Sequence, residues 1–255
     1  MLIGKKYQKL INMKTLVAIL QYNTFELTDS LYENLKPYEE NIYDTIVVDN
    51  GSHPDKKSKY TTHALEQNVF YGGGVNAILD LFLESPQYDS VIILNNDLHL
   101  HGYNYIKTLR EEMFNGDFKL ISPCVLEPHT GEQTIWKSMR PWHTGTTRVV
   151  PYIDYQAPMF SRELAEKLYP IPDKLIYGWG IDCLSAMICN DNNWKIGVCD
   201  KTPTIHLISQ TLKLNTELSQ VNNLAERNMF EYFESVGKLS TLNEIRNKAF
   251  NYKPL

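Results

Sequence analysis

The chain has 255 residues, 43% hydrophobic and 22% charged, with a net charge of −5. That length can bury a full core and favours one domain with appendages over two independent ones. The acidic balance excludes a generally basic, nucleic-acid-binding surface, and four cysteines without CxxC spacing read as reduced core thiols rather than a zinc cluster.

Residues 1–13, with Lys5, Lys6 and Lys9, read as an extension ahead of the fold. The apolar run that follows is too short for a signal-peptide core, and no stretch reaches the roughly 20 apolar residues of a spanning helix. The expectation is a soluble, cytoplasmic protein. Hydrophobic patterning then predicts a strand at 15–21, a helix at 28–35 stopped by Pro37, and a strand at 45–48 ending in Asp49-Asn50-Gly51-Ser52. A short segment at 63–67 precedes Gly72-Gly73-Gly74, read as a turn leading into a helix at 75–83. A strand at 91–94, an amphipathic helix at 105–114 and a strand at 119–122 follow. Alternating strands and helices imply an α/β fold, with a mostly parallel central sheet flanked by helices.

The second half is less regular. Residues 123–158 hold Trp136, Trp142, His129, His143, Arg140 and Arg148 among Pro, Gly and Thr, and read as a functional loop or lid. Helices are expected at 162–168 and around 183–189, and a strand at 195–198 leads towards Pro203-Thr204-Ile205-His206. Beyond residue 210 the pattern is polar and helical, at 222–235 and 242–250.

The residues with chemical promise sit at strand ends, where open α/β sheets bind ligands. Asp97 closes the run Val91-Ile92-Ile93-Leu94 through Asn95-Asn96 and suits a divalent cation whose remaining ligands are phosphate oxygens. Its bland reading is a turn or capping Asp. Asn96 assists it, and Asn95 orients the loop. Asp49 offers a hydrogen-bond acceptor to a uracil ring or a ribose, or else makes an Asx turn. Tyr22-Asn23 stacks on and hydrogen-bonds a base, or covers the core. Gly72, Gly73 and Gly74, with Asn76 behind them, let backbone N–H groups approach a diphosphate or form a flexible turn. The run matches neither G-x-G-x-x-G nor a P-loop. In Gly178-Trp179-Gly180-Ile181-Asp182 the glycines expose Trp179 for stacking on a sugar, and Asp182 can take a proton from a hydroxyl. His206 is a candidate imidazole ligand, ranked above His99 and His101, which flank the Asp97 turn. Arg140 and Arg148 either bind phosphate or lie solvated on the surface.

In their order along residues 14–207 these segments resemble the inverting glycosyltransferases of family 2 with the GT-A fold. The matching pieces are Tyr22-Asn23, Val47-Val48-Asp49-Asn50-Gly51-Ser52, Asn68-Val69-Phe70-Tyr71-Gly72-Gly73-Gly74-Val75-Asn76, Leu94-Asn95-Asn96-Asp97, Gly180-Ile181-Asp182 and His206. The resemblance implies a Rossmann-like GT-A domain with a nucleotide-sugar half at 14–102, an acceptor half at 103–207 and a C-terminal helical segment at 208–255. By it, Asp49 contacts the base, Asp97 and His206 hold Mn²⁺ or Mg²⁺, and Asp182 is the general base. Tyr22, Asn23, Asn50, the glycines, Asn76, Asn96, Trp179 and Gly180 surround the donor, a UDP-sugar by preference. The acceptor is a hydroxyl on a glycan or on modified nucleic acid. Two departures stand out: Asn95 replaces the first carboxylate of the metal motif, and Asp182 lacks a preceding Glu. They keep open a decayed nucleotide-sugar-binding protein. A nucleotidyltransferase is disfavoured by the neutral-to-acidic stretch at 21–28, and a phage-type DNA-modifying glycosyltransferase by the net charge.

Overall fold

The computed structural model describes residues 13–39, 41–100, 104–126, 136–207 and 221–254. In chain order these form β1 (Lys14–Gln21), α1 (Phe25–Leu35), β2 (Tyr43–Asp49), β3 (His63–Ala64), α2 (Phe70–Leu83), β4 (Tyr88–Asn95) and β5 (Leu98–Leu100). There follow α3 (Tyr105–Gly116), β6 (Phe118–Leu126), β7 (Thr147–Val149), β8 (Met159–Ser161), α4 (Arg162–Leu168), α5 (Ile181–Asp191), β9 (Lys195–His206), α6 (Val221–Ser235) and α7 (Leu239–Phe250). No helix among the described residues is long and apolar enough to cross a membrane.

The strands join in the order β3-β2-β1-β4-β8-β6-β9-β5, with β7 also beside β9. The expectation of a mostly parallel sheet is corrected to a mixed one. The pairs β1–β2, β1–β4, β2–β3 and β6–β9 are parallel, whereas β4–β8, β6–β8, β5–β9 and β7–β9 are antiparallel. The reason is local. Strand β8 enters between β4 and β6 after a connection whose described part, 136–158, contains no α-helix, so nothing there requires it to run parallel.

Strand β1 is buried on both faces, as its unbroken apolar run demands. Leu16, Ala18 and Leu20 pack with α2, α4, α5, α6 and α7, while Val17 and Ile19 pack with α1 and α3. The last two helices are anchored in the first of these cores by Met229, Phe233, Leu242, Ile245 and Ala249. The register of the parallel strands sets Gln21 beside Asp49 and Leu20 beside Asn95, so the carboxyl ends of β1, β2 and β4 open onto one crevice.

Two element boundaries differ from expectation. Helix α2 begins at Phe70, so Gly72, Gly73 and Gly74 lie inside its first turns instead of forming a turn before it. The strand expected at 195–198 extends through His206 as β9, with a shift in its pairing with β6 between Cys199 and Thr204.

Candidate functional site

A cavity of about 560 Å³ occupies the crevice, with Tyr22, Asn50, Asn96 and Asp97 on its strand-end side and Trp179, Gly180 and Asp182 on the side of α5. The turn after β4 brings the first pair of candidate ligands together. Strand β5 runs antiparallel to the end of β9 and sets Leu98 opposite His206. The Leu207 N–H then donates to the Asp97 carbonyl at 2.9 Å. In consequence His206 Nε2 stands 3.2 Å from Asp97 Oδ1, with both side chains largely buried. Asn96 is committed to the turn: its Nδ2 donates to Thr24 Oγ1 at 2.6 Å and Thr28 Oγ1 at 2.9 Å, tying it to the start of α1. His99 is exposed on β5, and His101 lies outside the described residues.

One carboxylate and one imidazole fit a cation that accepts mixed O and N ligands, as Mn²⁺ does more readily than Mg²⁺. No cluster of three or more His, Cys, Asp or Glu suited to a metal occurs among the described residues. A cation at Asp97 and His206 would therefore take its remaining ligands from phosphate oxygens or water.

On the other side, Gly178 (φ +109°) and Gly180 (φ +90°) take left-handed conformations on either flank of Trp179. Gly180 is required twice over, because a Cβ there would stand 2.8 Å from Met229 Cγ. The turn leaves Trp179 38% exposed at the cavity rim. Asp182 follows in the first turn of α5. Its Oδ1 accepts the Cys183 N–H at 2.7 Å and its Oδ2 accepts the Tyr152 hydroxyl. Burial pushes its carboxyl above the usual carboxylate range, outweighing these two hydrogen bonds and the Arg246 charge, which pull the other way. A carboxylate so raised holds a proton better near neutrality, as a general base must.

Several expected site residues are engaged elsewhere. Asp49 is fully buried, accepting from Gln21 Nε2 at 2.7 Å and from the Ser52 N–H at 3.0 Å, and it does not line the cavity. In this structure its carboxylate is thus engaged in a buried turn. Asn23 sits at φ +57° and accepts the His53 N–H at 2.9 Å, so it too belongs to that turn. Asn50 reaches the cavity, yet its amide bridges the Val69 N–H and the Phe70 carbonyl, each at 3.0 Å. Gly72, Gly73 and Gly74, expected as a phosphate cradle, are closely packed in this structure. The Gly72 N–H donates to the Ile176 carbonyl at 2.7 Å, and Cβ atoms on Gly73 and Gly74 would strike Val69 and Leu20. Asn76 binds both backbone groups of Ile171, accepting at 2.8 Å and donating at 3.3 Å. Gly72 and Asn76 thereby hold the 171–176 segment.

The expected loop divides in the same way. Trp136 lines the cavity and packs on Tyr152 with ring centroids 5.0 Å apart, while Trp142 is exposed against Tyr252. Arg148 is neither a surface residue nor a phosphate ligand. Buried beside Asp200, it forks onto that carboxylate at 2.9–3.1 Å and donates to the Ser138 and Arg140 carbonyls. His129 and its neighbours at 127–135 lie outside the described residues.

Sequence reasoning missed Asp154, Tyr71, Tyr152, Tyr155 and Arg246, all of which line the cavity. Burial drives the Tyr71 hydroxyl far above its ordinary pKa, and the charges of Asp154, Asp182 and Asp97 push the same way. Three carboxylates, Asp97, Asp154 and Asp182, line the same cavity as this ring. The only hint of Asp154 in the sequence was an acid between two tyrosines, Tyr152 and Tyr155.

A family described as a protein of unknown function (DUF707) matches residues 131–248. No curated protein matches the chain. Three solved glycosyltransferase structures are similar in fold. GalNAc-T7 with UDP, GalNAc and Mn²⁺ superposes with a TM-score of 0.61 at 10% identity, over 92% of this chain and 54% of that one. The chain thus spans about half the length of that enzyme. The mannosyltransferase PcManGT from Pyrobaculum calidifontis, in complex with GDP-Man and Mn²⁺, gives 0.58 at 13% identity over 97% and 78%. S. aureus TarS 1–349 gives 0.56 at 14% identity over 88% and 74%. The fold is of the GT-A glycosyltransferase type. At such identities the likeness speaks to fold and not to a particular family or reaction.

Proposed function

We propose that the protein is a glycosyltransferase that moves a sugar from a nucleoside diphosphate sugar to an acceptor hydroxyl, with inversion at the anomeric carbon. The observation carrying this reading is the convergence of the Asp97–His206 pair and the raised, half-buried Asp182 on one cavity at the strand ends. Two of the solved structures of similar fold hold a nucleotide or nucleotide sugar together with Mn²⁺.

Asp97 and His206 would hold Mn²⁺ or Mg²⁺, which supplies positive charge for the departing diphosphate. Tyr22 offers a ring at the strand-end side for the base, and Trp179 an exposed face for the sugar. Asp182 accepts the proton of the acceptor hydroxyl through a carboxylate oxygen. The acceptor oxygen then bonds to the anomeric carbon as the bond from that carbon to the diphosphate oxygen breaks. A single displacement of this kind inverts the centre. Tyr152 and the Cys183 N–H fix the orientation of Asp182 throughout.

The test is nucleoside diphosphate release from a panel of UDP- and GDP-sugars with Mn²⁺, with and without EDTA, followed by NMR of the product anomer. Asp97→Asn and His206→Ala are expected to weaken Mn²⁺-dependent nucleotide binding by roughly ten-fold or more. Asp182→Asn is expected to keep that binding and lose transfer. Failure of every nucleotide sugar to bind would sink the proposal. Because Asn95 stands where a second metal-binding carboxylate is expected, binding without any turnover would point instead to a decayed enzyme that retains its ligand.

A further inference from the structure

We infer that Arg246 selects an acceptor carrying an oxyanion, a carboxylate or a phosphate, close to the hydroxyl that is glycosylated. The inference rests on the glycosyltransferase reading for the word acceptor, but the anion site itself stands on independent geometry. Arg246 projects from α7, whose Leu242, Ile245 and Ala249 are anchored in the core, and its side chain lines the cavity. Its guanidinium carbon lies 5.6 Å from the Trp136 ring centroid and 5.9 Å from that of Phe230. Among the described residues it makes no hydrogen bond and no ion pair.

A guanidinium held by aromatic rings keeps its in-plane N–H donors available. Those donors form a rigid fork that matches a carboxylate or phosphate two bonds at a time. The four other buried or half-buried uses of arginine here are all satisfied: Arg110 on Asp89, Arg148 on Asp200, and Arg162 on carbonyls of residues 82–88, with Arg140 also engaged. Arg246 alone among these cavity and core arginines presents an uncommitted fork, and it does so inside the cavity.

Its neighbours place it on the acceptor side. Trp136, which Arg246 faces, packs on Tyr152, and the Tyr152 hydroxyl donates to Asp182. The Arg246 charge is felt by Asp182, yet no ion pair joins them; the Asp182 oxygens accept from Tyr152 and the Cys183 N–H. A group bound by Arg246 therefore lies next to the base rather than at the Asp97–His206 end of the cavity, where the diphosphate is expected. The three carboxylates that line the cavity would repel a free anion, so a bound oxyanion has Arg246 as its source of attraction.

The experiment is an NMR titration of the full chain, with nucleoside diphosphate and Mn²⁺ present, using paired probes: glycerol 3-phosphate against glycerol, and glucuronate against glucose. At least one charged probe is expected to bind roughly ten-fold or more tightly than its neutral partner. The pair that shows the gap tells phosphate from carboxylate. R246Q is expected to abolish the gap and to leave nucleoside diphosphate binding unchanged, and R246K, which keeps the charge but not the fork, to retain part of it. No preference for either charged probe in the wild type would overturn the inference, as would a preference that survives R246Q. Loss of nucleoside diphosphate binding in R246Q would also overturn it, since Arg246 would then grip the donor. Should R246Q fail to fold, a gap undiminished in R246K refutes the fork. If nucleoside diphosphate does not bind the wild type while an Arg246-dependent gap is present, the glycosyltransferase reading falls and the oxyanion site stands.

Discussion

Gly72→Ala tells a packing glycine from a phosphate-cradling one. Gly72 is buried near the start of α2, with its N–H on the Ile176 carbonyl at 2.7 Å. A Cβ would stand 2.7 Å from the carbonyl oxygens of both Leu175 and Ile176 and 2.8 Å from Ile176 Cα. All three are backbone atoms, so relief requires moving the segment that leads into Gly178-Trp179-Gly180. Alanine gains about 1 kcal/mol over glycine in helix propensity, while overpacking a tight site costs about 1–3 kcal/mol. With only backbone to yield, the upper part of that range applies, leaving a net loss of about 1–2 kcal/mol. That corresponds to a fall in Tm of roughly 2–8 °C for a chain of this length. Urea unfolding should show a lower midpoint at unchanged slope. Because the displaced segment carries Trp179 and precedes Asp182, transfer should fall more than nucleotide binding. A Gly72→Ala protein as stable as the wild type but unable to bind nucleoside diphosphate would refute this reasoning and restore the phosphate cradle.

Asp182 should set the acid limb of the pH–rate profile. Since burial raises its pKa, activity should rise with pH through an inflection above the usual carboxylate range. Tyr152→Phe removes a hydrogen bond that favours the ionised form, so the inflection should move further up; a shift downwards would contradict the assignment. The linkage has a matching sign. A carboxyl that binds its proton more tightly when folded loses stability as pH rises from the ordinary carboxylate range through its raised value. Asp182→Asn should accordingly be at least as stable as the wild type at neutral pH while losing roughly 10²–10⁴-fold in transfer, a combination that thermal melts and rate assays can check. Arg148→Met leaves Asp200 buried without its charge partner and should cost about 3–5 kcal/mol in denaturant unfolding. A loss below about 1 kcal/mol, the range of an exposed pair, would show that water reaches the site.

The strands and helices that build the crevice were readable from the chain because each rests on a local pattern. Val91-Ile92-Ile93-Leu94 is apolar on both faces whatever surrounds it, and helices α3 and α5 keep their periodicity. The glycine run was misplaced for a physical reason. Glycine in sequence signals either a free backbone or a close approach, and only the 171–176 segment, a hundred residues away, decides for the second. Arg148 looked like a loop arginine because its partner lies 52 residues on, in β9. The mixed sheet escaped for a similar reason, since the direction of a three-residue strand such as β8 leaves no mark on its composition.

The two strand-end aspartates show where such reading stops. Asp49 and Asp97 carry nearly the same local signature, an apolar run followed by a carboxylate and a turn, and both are buried. What distinguishes them is the partner each meets. Asp49 ends the inner strand β2, where Gln21 of β1 and the Ser52 N–H fill its oxygens and close it off. Asp97 lies one turn past β4, where the antiparallel β5–β9 ladder delivers His206 and the cavity wall instead. A carboxylate with donors on both oxygens stabilises a turn, whereas one set beside a neutralisable imidazole at a cavity wall can share a cation with it. The difference is made by β9, which carries on past a shift in its pairing with β6 after Cys199 to reach this edge at His206. Continuity of that last strand, more than the identity of any one residue, therefore turns one of two equivalent aspartates into a candidate ligand.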